Sequence, residues 1–585
     1  MNSVFWPNQA RQLCVKWRSI LLPLAIGIYL LFAALFPLYQ MISYGIFHSS
    51  HEDSRYVVLA EHFFRAFSAG VFYPRWLPDL NGGFGYPTFV FYQPGFFFLH
   101  LPFRFVFSDA ISSMHGAIYA LLLIGGAGAY FIGTTISNRV GGVFAAAMFL
   151  LTPYVYVNLF VRGDLSELMA MLLTPWPLFF ALALSKRVNE ENAPAAGYTI
   201  GLAASTTVLI YSHPLTSLIF ALILGLFCLG LTWMAPTREQ GRRFLVYALS
   251  AGVLTLVLSS PYWLTVFLMK DLVNLGAVTN GYFTATNHVV APWQFFSLYW
   301  GFGVSVAGDN DGMSFQLGTL HFVAAVAGLI VGWKNRVVRM AFVLYLALVL
   351  SMTGLAIRFW ELPVVKFVQF PWRILSVTAV LQVMCMSAVG GLHPSRKVLV
   401  PIGLALTIAA TVWVHGAQFQ LQVLATDVSY ENVDKAIDYE KTLFYTHTVK
   451  DEFRPLTASL ISSMPRMTAG ELLLAVGGDA TPLPNNQPHN ILFRVESDQN
   501  FRVILSQFYF PGWRIEVDGE LVSDKLLQNE MEENGLIGLP LNAGTHEIKA
   551  WYDSPPGNNL RFIIAIILSG FVLAGIVIFD RKSLN

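Results

Sequence analysis

The chain reads as an α-helical polytopic membrane protein of about 12 spans, with an all-β domain on the non-cytoplasmic side just before the last span. Three observations predict this. Only 12% of its 585 residues are charged, about half the share usual in a soluble globular chain. Apolar runs of roughly 20 residues, the length that crosses a ~30 Å hydrocarbon layer, alternate with short charged punctuation. The exception is a stretch near the C-terminus where apolar and polar residues alternate with the period of two that marks strands.

Taken in order, the candidate spans are residues 19–41, 112–134, 140–160, 166–185, 196–212, 215–234, 244–268, 316–333, 340–356, 373–392, 398–415 and 560–579. Basic residues test the assignment. Arg11, Lys16 and Arg18, Arg139, Lys186 and Arg187, Arg238, Arg242 and Arg243, Lys334, Arg336 and Arg339, Arg396 and Lys397, and Arg581 and Lys582 all fall on one side. Lys and Arg mark cytoplasmic loops, so both termini are expected in the cytoplasm. The first apolar run lacks an A-x-A-like cleavage site and reads as a retained span.

The opposite side then holds a first loop at 42–111, a tight turn with Arg162, Asp164 and Glu167, a long loop at 269–315 and a soluble region at 416–558. The aromatic stretch 86–107 contains Pro87, Pro94 and Pro102, and a span there would break the charge alternation. It is expected to be interfacial or re-entrant. In the soluble region, Asn490–Glu496, Phe501–Ser506, Trp513–Val517 and His546–Tyr552 read as strands, with Asp518-Gly519 as a hairpin turn. A small sandwich of jelly-roll or carbohydrate-module type fits, preceded by a helical linker over 416–465. The expected domains are therefore a membrane domain at 1–415, a linker and β-sandwich at 416–558, and a last helix with a cytoplasmic tail at 559–585.

Composition excludes several classes. Net charge is +1, which offers no field for nucleic acid. Cys14, Cys228 and Cys385 are far apart and make neither a disulfide framework nor a metal knuckle. No HExxH, Walker A or GxSxG sequence occurs. Asp309 and Asp311 resemble a calcium-loop fragment, but the closing Glu is missing and a solvated turn is the expectation.

Candidate chemistry concentrates in the first loop, where Glu52 and Asp53 stand side by side just past the first span. Such a pair could act as a general base, bind a divalent metal, or cap the helix that starts there. Arg55, Arg75, Arg162, Arg358 and Arg373 lie beside apolar segments on the side where basic residues are disfavoured. As a set they point to a phosphate site, with Arg373 at the mouth of a span as its best member. Singly, each fits snorkelling or a local ion pair, such as Arg162 with Asp164 or Glu167. His213 sits at a span end on the same side.

Glu52-Asp53-Ser54-Arg55-Tyr56, followed by Gly70 and Pro74-Arg75, resembles the Asp-Glu-x-Arg-Tyr … Gly … Pro-Arg pattern of GT-C glycosyltransferases, in the protein O-mannosyltransferase and aminoarabinose-transferase branch. The acids stand in reversed order, which leaves open which is the base. Tyr73-Pro-Arg-Trp76, Gly83-x-Gly85-Tyr-Pro87, Phe91-Tyr-x-Pro94, Val161-Arg-Gly163 with Glu167, Ser212-His-Pro214 and Gln369-Phe-Pro-Trp-Arg373 resemble a bacterial polytopic family labelled 6-pyruvoyl-tetrahydropterin-synthase-related. The tail from Phe508-Tyr-Phe-Pro-Gly-Trp513 to His546 is similar to the β-domain of YfhO-like membrane glycosyltransferases.

The resemblance implies a bacterial inner-membrane glycosyltransferase of GT-C type that uses a polyprenyl-phosphate-linked sugar and an envelope glycan, lipid or protein acceptor. It implies Glu52 or Asp53 as catalytic base. Arg55, Tyr56, Arg75, Trp76, Arg162, Glu167, His213 and Arg373 would bind the lipid phosphate or sugar. No cofactor is assigned, and a divalent metal is one the acids could hold. Tyr56, Trp76, Tyr86 and Tyr92 could stack on the sugar, or form an interfacial aromatic belt. The β-domain would position the acceptor or cap the site. A flippase or glycan-assembly partner is the alternative, and a hydrolase acting on the same donor is a third reading. A transporter would be expected to carry ionisable groups at mid-span, whereas here they gather at span ends.

Overall fold

The computed structural model describes residues 24–47, 50–52, 55–190, 193–274, 280–363, 365–392, 399–423, 428–429, 453–458, 472–476, 478–484 and 490–584. Among them, seven helices are long and apolar enough to cross a membrane: Leu24–Tyr44, Ala110–Ile136, Leu165–Val188, Pro214–Met234, Arg238–Leu272, Pro371–Gly391 and Asn558–Arg581. Two broken pairs, Arg139–Leu150 with Pro153–Arg162 (bent by 41°) and Arg336–Ser351 with Gly354–Trp360 (bent by 83°), raise the number to nine. The sequence reading expects twelve. The difference lies in Ala196–Ser212, Thr319–Val331 and Leu399–Val414, which are helices of 17, 13 and 16 residues. At about 1.5 Å per residue the shortest reaches only ~20 Å.

Helix starts follow local chemistry. Asp109, Asn138, Thr237 and Asn335 each stand at an N-cap, and each side chain accepts a hydrogen bond from a backbone N–H of the first turn. The stretch expected to lie at the interface forms Thr88–Phe91 and Gly95–Val106. The second helix has 12 residues, about 18 Å, and is too short to span. Its Phe96 and Phe97 pack on Tyr56, at ring separations of 5.7 and 5.8 Å. Tyr56 belongs to the amphipathic helix Arg55–Ser68, which buries Tyr56, Val57, Leu59, Ala60 and Phe63.

The β-domain is built from two sheets. We number strands β1 (Ile46–Phe47), β2 (Val428–Ser429), β3 (Leu472–Val476), β4 (Asp479–Pro482), β5 (Ile491–Ser497), β6 (Phe501–Phe508), β7 (Trp513–Val517), β8 (Glu520–Leu521), β9 (Leu536–Leu541) and β10 (Gly544–Tyr552). One sheet has the order β4-β5-β10-β7-β8 and the other β3-β6-β9, while β1 pairs with β2 as an outlying two-stranded ladder. The two sheets share a core that includes Val495, Val503, Leu505, Ile515, Leu539 and Ile548. Period-two burial is plain in β5, where Phe493 and Val495 are buried and Arg494 and Glu496 exposed. The expected hairpin closes β7 and β8, with φ of 52° at Asp518 and 82° at Gly519, the sign that Asp-Gly turns adopt readily. Of the expected helical linker, residues 416–419 form a single 3-10 turn, and most of the rest lies outside the described residues.

Candidate active site

The site begins with a broken helix. After Pro153–Tyr156 the chain widens into a π-turn at Val157–Arg162, passes through Gly163 in the left-handed region (φ 64°), and restarts at Leu165 with Asp164 as N-cap. Asp164 Oδ1 accepts from Glu167 N at 2.9 Å. This short reversal brings Arg162, Asp164 and Glu167 to one end of the helix bundle. A Cβ on Gly163 would clash with the Ser50 hydroxyl, so only glycine lets the first loop lie this close. That loop is held by two backbone bonds, His51 N to Val161 O and Glu52 N to Arg162 O, both 3.0 Å.

Four charges meet there. Arg162 Nη2 lies 2.9 Å from Asp164 Oδ2 and its Nη1 2.7 Å from Glu167 Oε2. Arg373 Nε lies 3.3 Å from the same Glu167 oxygen. The other oxygen of Glu167 accepts from Tyr154 and Ser376 hydroxyls, each at 2.7 Å. Two carboxylates thus face two guanidiniums, and the charge sums to zero. Paired in this way the ions can be buried; removal of one partner strands the others at high cost. Arg162 also bonds Asn158 and lies over the Trp372 ring at 4.9 Å. Arg373 Nη1 donates to Val368 O at 3.0 Å and to Gln369 Oε1 at 2.6 Å.

Beside this cluster opens a cleft of ≈ 380 Å³, lined among others by His51, Glu52, Arg55, Tyr92, Arg162, Asp164, His213, Tyr282, Trp372 and Arg373. Glu52 Oε2 lies 3.0 Å from Arg55 Nη1, and the Arg55 guanidinium stacks 4.6 Å above Tyr92. Burial lowers the pKa of His51, which favours the neutral imidazole, and its Nε2 donates to the Phe302 carbonyl at 3.2 Å. His213 caps the helix Pro214–Met234 by accepting from Thr216 N. One ligand atom each from Asp164, Glu167 and His213 fall within 4.8 Å of one another, a set that could hold a divalent cation. Such an ion would compete with Arg162 and Arg373 for the same carboxylate oxygens.

The sequence candidates therefore separate. Glu52, Arg55, Arg162, His213 and Arg373 line one cleft. Asp53 lies outside the described residues. Glu167 is fully buried and does not line the cleft; it stands behind the arginines and holds them. Tyr56 is also fully buried, and its hydroxyl is used up. It donates to Asp164 at 3.0 Å and accepts from Tyr92 at 2.8 Å and from Ser166 N at 3.0 Å.

Arg75 and Trp76 lie elsewhere, in the joint with the β-domain. Trp76 packs against Phe510, Trp513 and Tyr552 and donates to Gln507 at 2.8 Å. The expectation that these two share the phosphate and sugar site with Arg373 gives way to this placement, because the loop reverses between Ser68 and Tyr73 and carries them to the other sheet-facing wall. Tyr154, Asn158 and Ser376, which complete the charge cluster, were not singled out from the sequence. Their only signal is a hydroxyl or amide within an apolar run.

Residues 89–421, more than half of the chain, match the model of the family described as "6-pyruvoyl-tetrahydropterin synthase related domain; membrane protein", and the chain belongs to this family. No curated protein sequence matches it. Among solved structures, it is similar to the Archaeoglobus fulgidus oligosaccharyltransferase tethered with an acceptor peptide, at 13% identity and a TM-score of 0.44 over 75% of this chain and 61% of that one. The apo form of the same enzyme gives 13% and 0.44 over 73% and 60%. Its complex with zinc and sulfate gives 13% and 0.42 over 73% and 59%. The chain thus spans about three fifths of the length of these structures.

Proposed function

We propose that this member of the 6-pyruvoyl-tetrahydropterin synthase related membrane family is a glycosyltransferase of GT-C type that moves a sugar from a polyprenyl-phosphate carrier to an envelope glycan, lipid or protein. The observation that carries the reading is one cleft in which two carboxylates, Glu52 and Asp164, share the walls with three guanidiniums, Arg55, Arg162 and Arg373, beside the ends of apolar helices. A hydroxyl acceptor needs a base, and a phosphate leaving group needs fixed positive charge where its own charge grows. A lipid carrier needs both at the edge of the hydrocarbon.

In this mechanism Glu52, with Asp53 as its neighbour in sequence, takes the proton of the acceptor hydroxyl. The freed oxygen attacks the anomeric carbon, the bond from that carbon to the phosphate oxygen breaks, and the lipid phosphate leaves with the electron pair. Arg373 and Arg162 meet the developing charge. Glu167 holds both guanidiniums in place before the reaction, so little reorganisation is needed during it. A divalent cation, were one held by Asp164, Glu167 and His213, would supply further positive charge at the same wall.

In the same reading the membrane domain is 1–415 with its first loop at 42–111 on the periplasmic face. Residues 416–558 are the linker and β-sandwich, and 559–585 the last helix and tail. The host membrane is a bacterial inner membrane with both termini cytoplasmic.

The test is transfer in proteoliposomes supplied with labelled polyprenyl-phosphate sugars and extracted envelope glycans. Wild type should transfer label. Glu52→Gln should lose roughly 10²–10⁴ in rate, the usual contribution of a positioned base. Transfer that survives simultaneous Glu52→Gln and Asp53→Asn substitution removes this mechanism.

A further inference from the structure

We propose that a second cleft, between the first loop and the β-domain, binds a neutral hexose unit. It has a volume of ≈ 270 Å³ and is lined by Tyr73, Arg75, Trp76, Asp79, Trp551 and Asp553 together with strand residues of the β-domain. The volume lies just below the ~300–1,000 Å³ typical of sites for drug-sized ligands, which suits one or two sugar rings.

Two features separate this cleft from an ordinary packed joint. Arg75 is only 8% exposed, yet it makes no salt bridge with any described residue. Its guanidinium lies 4.1 Å over the Tyr73 ring, and its hydrogen-bond partner is the neutral amide of Asn558, 2.7 Å from Nη2 once that amide is oriented to satisfy both neighbours. Trp513, 2% exposed, also lines the cleft, and its indole Nε1 has no hydrogen-bond partner among the described residues. Buried donors left unspent are costly, and native structures usually spend them.

The chemistry of the walls selects the ligand. A sugar hydroxyl donates one hydrogen bond and accepts two. It therefore suits a wall that mixes donors, here Arg75 and the Trp513 indole N–H, with acceptors, here Asp79 and Asp553. The C–H faces of the ring suit an indole surface such as that of the half-buried Trp551. Two carboxylates against one guanidinium disfavour an anionic ligand. Trp551 is half-buried, with the Lys549 ammonium 4.7 Å from its ring.

The role of the cleft, to hold part of the acceptor glycan, rests on the glycosyl-transfer reading; the binding does not. The experiment uses the full chain in lipid nanodiscs with millimolar methyl glycosides of glucose, galactose, mannose and N-acetylglucosamine, read by saturation-transfer difference NMR. At least one glycoside should receive saturation through its ring protons. Trp551→Ala should weaken that binding by about tenfold, the worth of one aromatic contact, and Asp553→Asn, at an exposed position, should weaken it without disturbing the fold. Glu52→Gln should leave it unchanged. No transfer to any of the four, or full signal in both cleft variants, overturns the proposal even if glycosyl transfer is intact. Binding without glycosyl transfer would instead strike the reading of the first cleft and leave this one standing.

Discussion

The first loop enters two regions that use similar residues for different ends. Its beginning, at His51, Glu52, Arg55 and Tyr56, joins a cluster where every buried guanidinium faces a carboxylate. About twenty residues on, Tyr73 to Tyr86 forms an aromatic joint in which Arg75 is buried against rings and a neutral amide. In the first region position is set by charge pairing, in the second by ring packing and by Gln507. That side chain accepts from Trp76 and donates to Gly83 O at 2.9 Å. The difference teaches that an arginine beside an apolar segment is informative only through its partner.

The comparison can be broken most sharply at Glu167. Glu167→Ala leaves Arg162 and Arg373 facing each other without their shared counter-ion, and should cost ~3–5 kcal/mol of stability. A thermal melt of the purified protein would show it. A melt unchanged from wild type would mean that the cluster is not what orders this end of the bundle.

In the joint, the corresponding change is Gly85→Ala. Gly85 has a φ of +80°, and an added Cβ would strike the Trp76 ring and Gln507 Oε1. Strain of this kind costs about 1–3 kcal/mol, and here it should loosen the joint before the bundle. Limited proteolysis should then release the β-domain while the membrane core keeps its melting temperature. Equal loss in both would show that the two regions are one cooperative unit.

The smallest effect sharpens the contrast between buried and exposed charge. At the β7–β8 corner His546 Nδ1 lies 2.7 Å from Asp518 Oδ2. This hydrogen bond raises the pKa of His546, while the Glu547 backbone N–H and His546 lower that of Asp518. A raised pKa stabilises fully below the unfolded value of about 6.5, and the gain is lost as pH rises through the folded value. A lowered one stabilises above about 3.9 and is lost as pH falls through the folded value. The pair is therefore at full strength between roughly pH 4 and 6.5, and being exposed is worth only ~0–1 kcal/mol. His546→Ala should lower Tm slightly in that window and not at pH 9.

Much of this was legible in the sequence. Helices stand at all twelve expected positions, although only seven to nine meet the length and hydropathy for crossing a membrane. The strands at 491–497, 501–508 and 513–517 and the Asp518-Gly519 turn stand where alternation and turn chemistry put them. Of the residues named from the sequence, Glu52, Arg55, Arg162, His213 and Arg373 line one cleft. The burial of Tyr56 and Glu167 and the removal of Arg75 and Trp76 to another wall were not anticipated.

The division has a physical reason. Span length, strand period, N-caps and turns depend on residues a few positions apart, so the chain encodes them locally and the sequence alone determined them. The pairings Glu52 N–Arg162 O, Glu167–Arg373 and Trp76–Gln507 join residues 110, 206 and 431 positions apart. Nothing local distinguishes an arginine that will meet a carboxylate from one that will meet a ring. Packing of helix against helix and loop against sheet chooses the partner, and that choice was made by the tertiary structure.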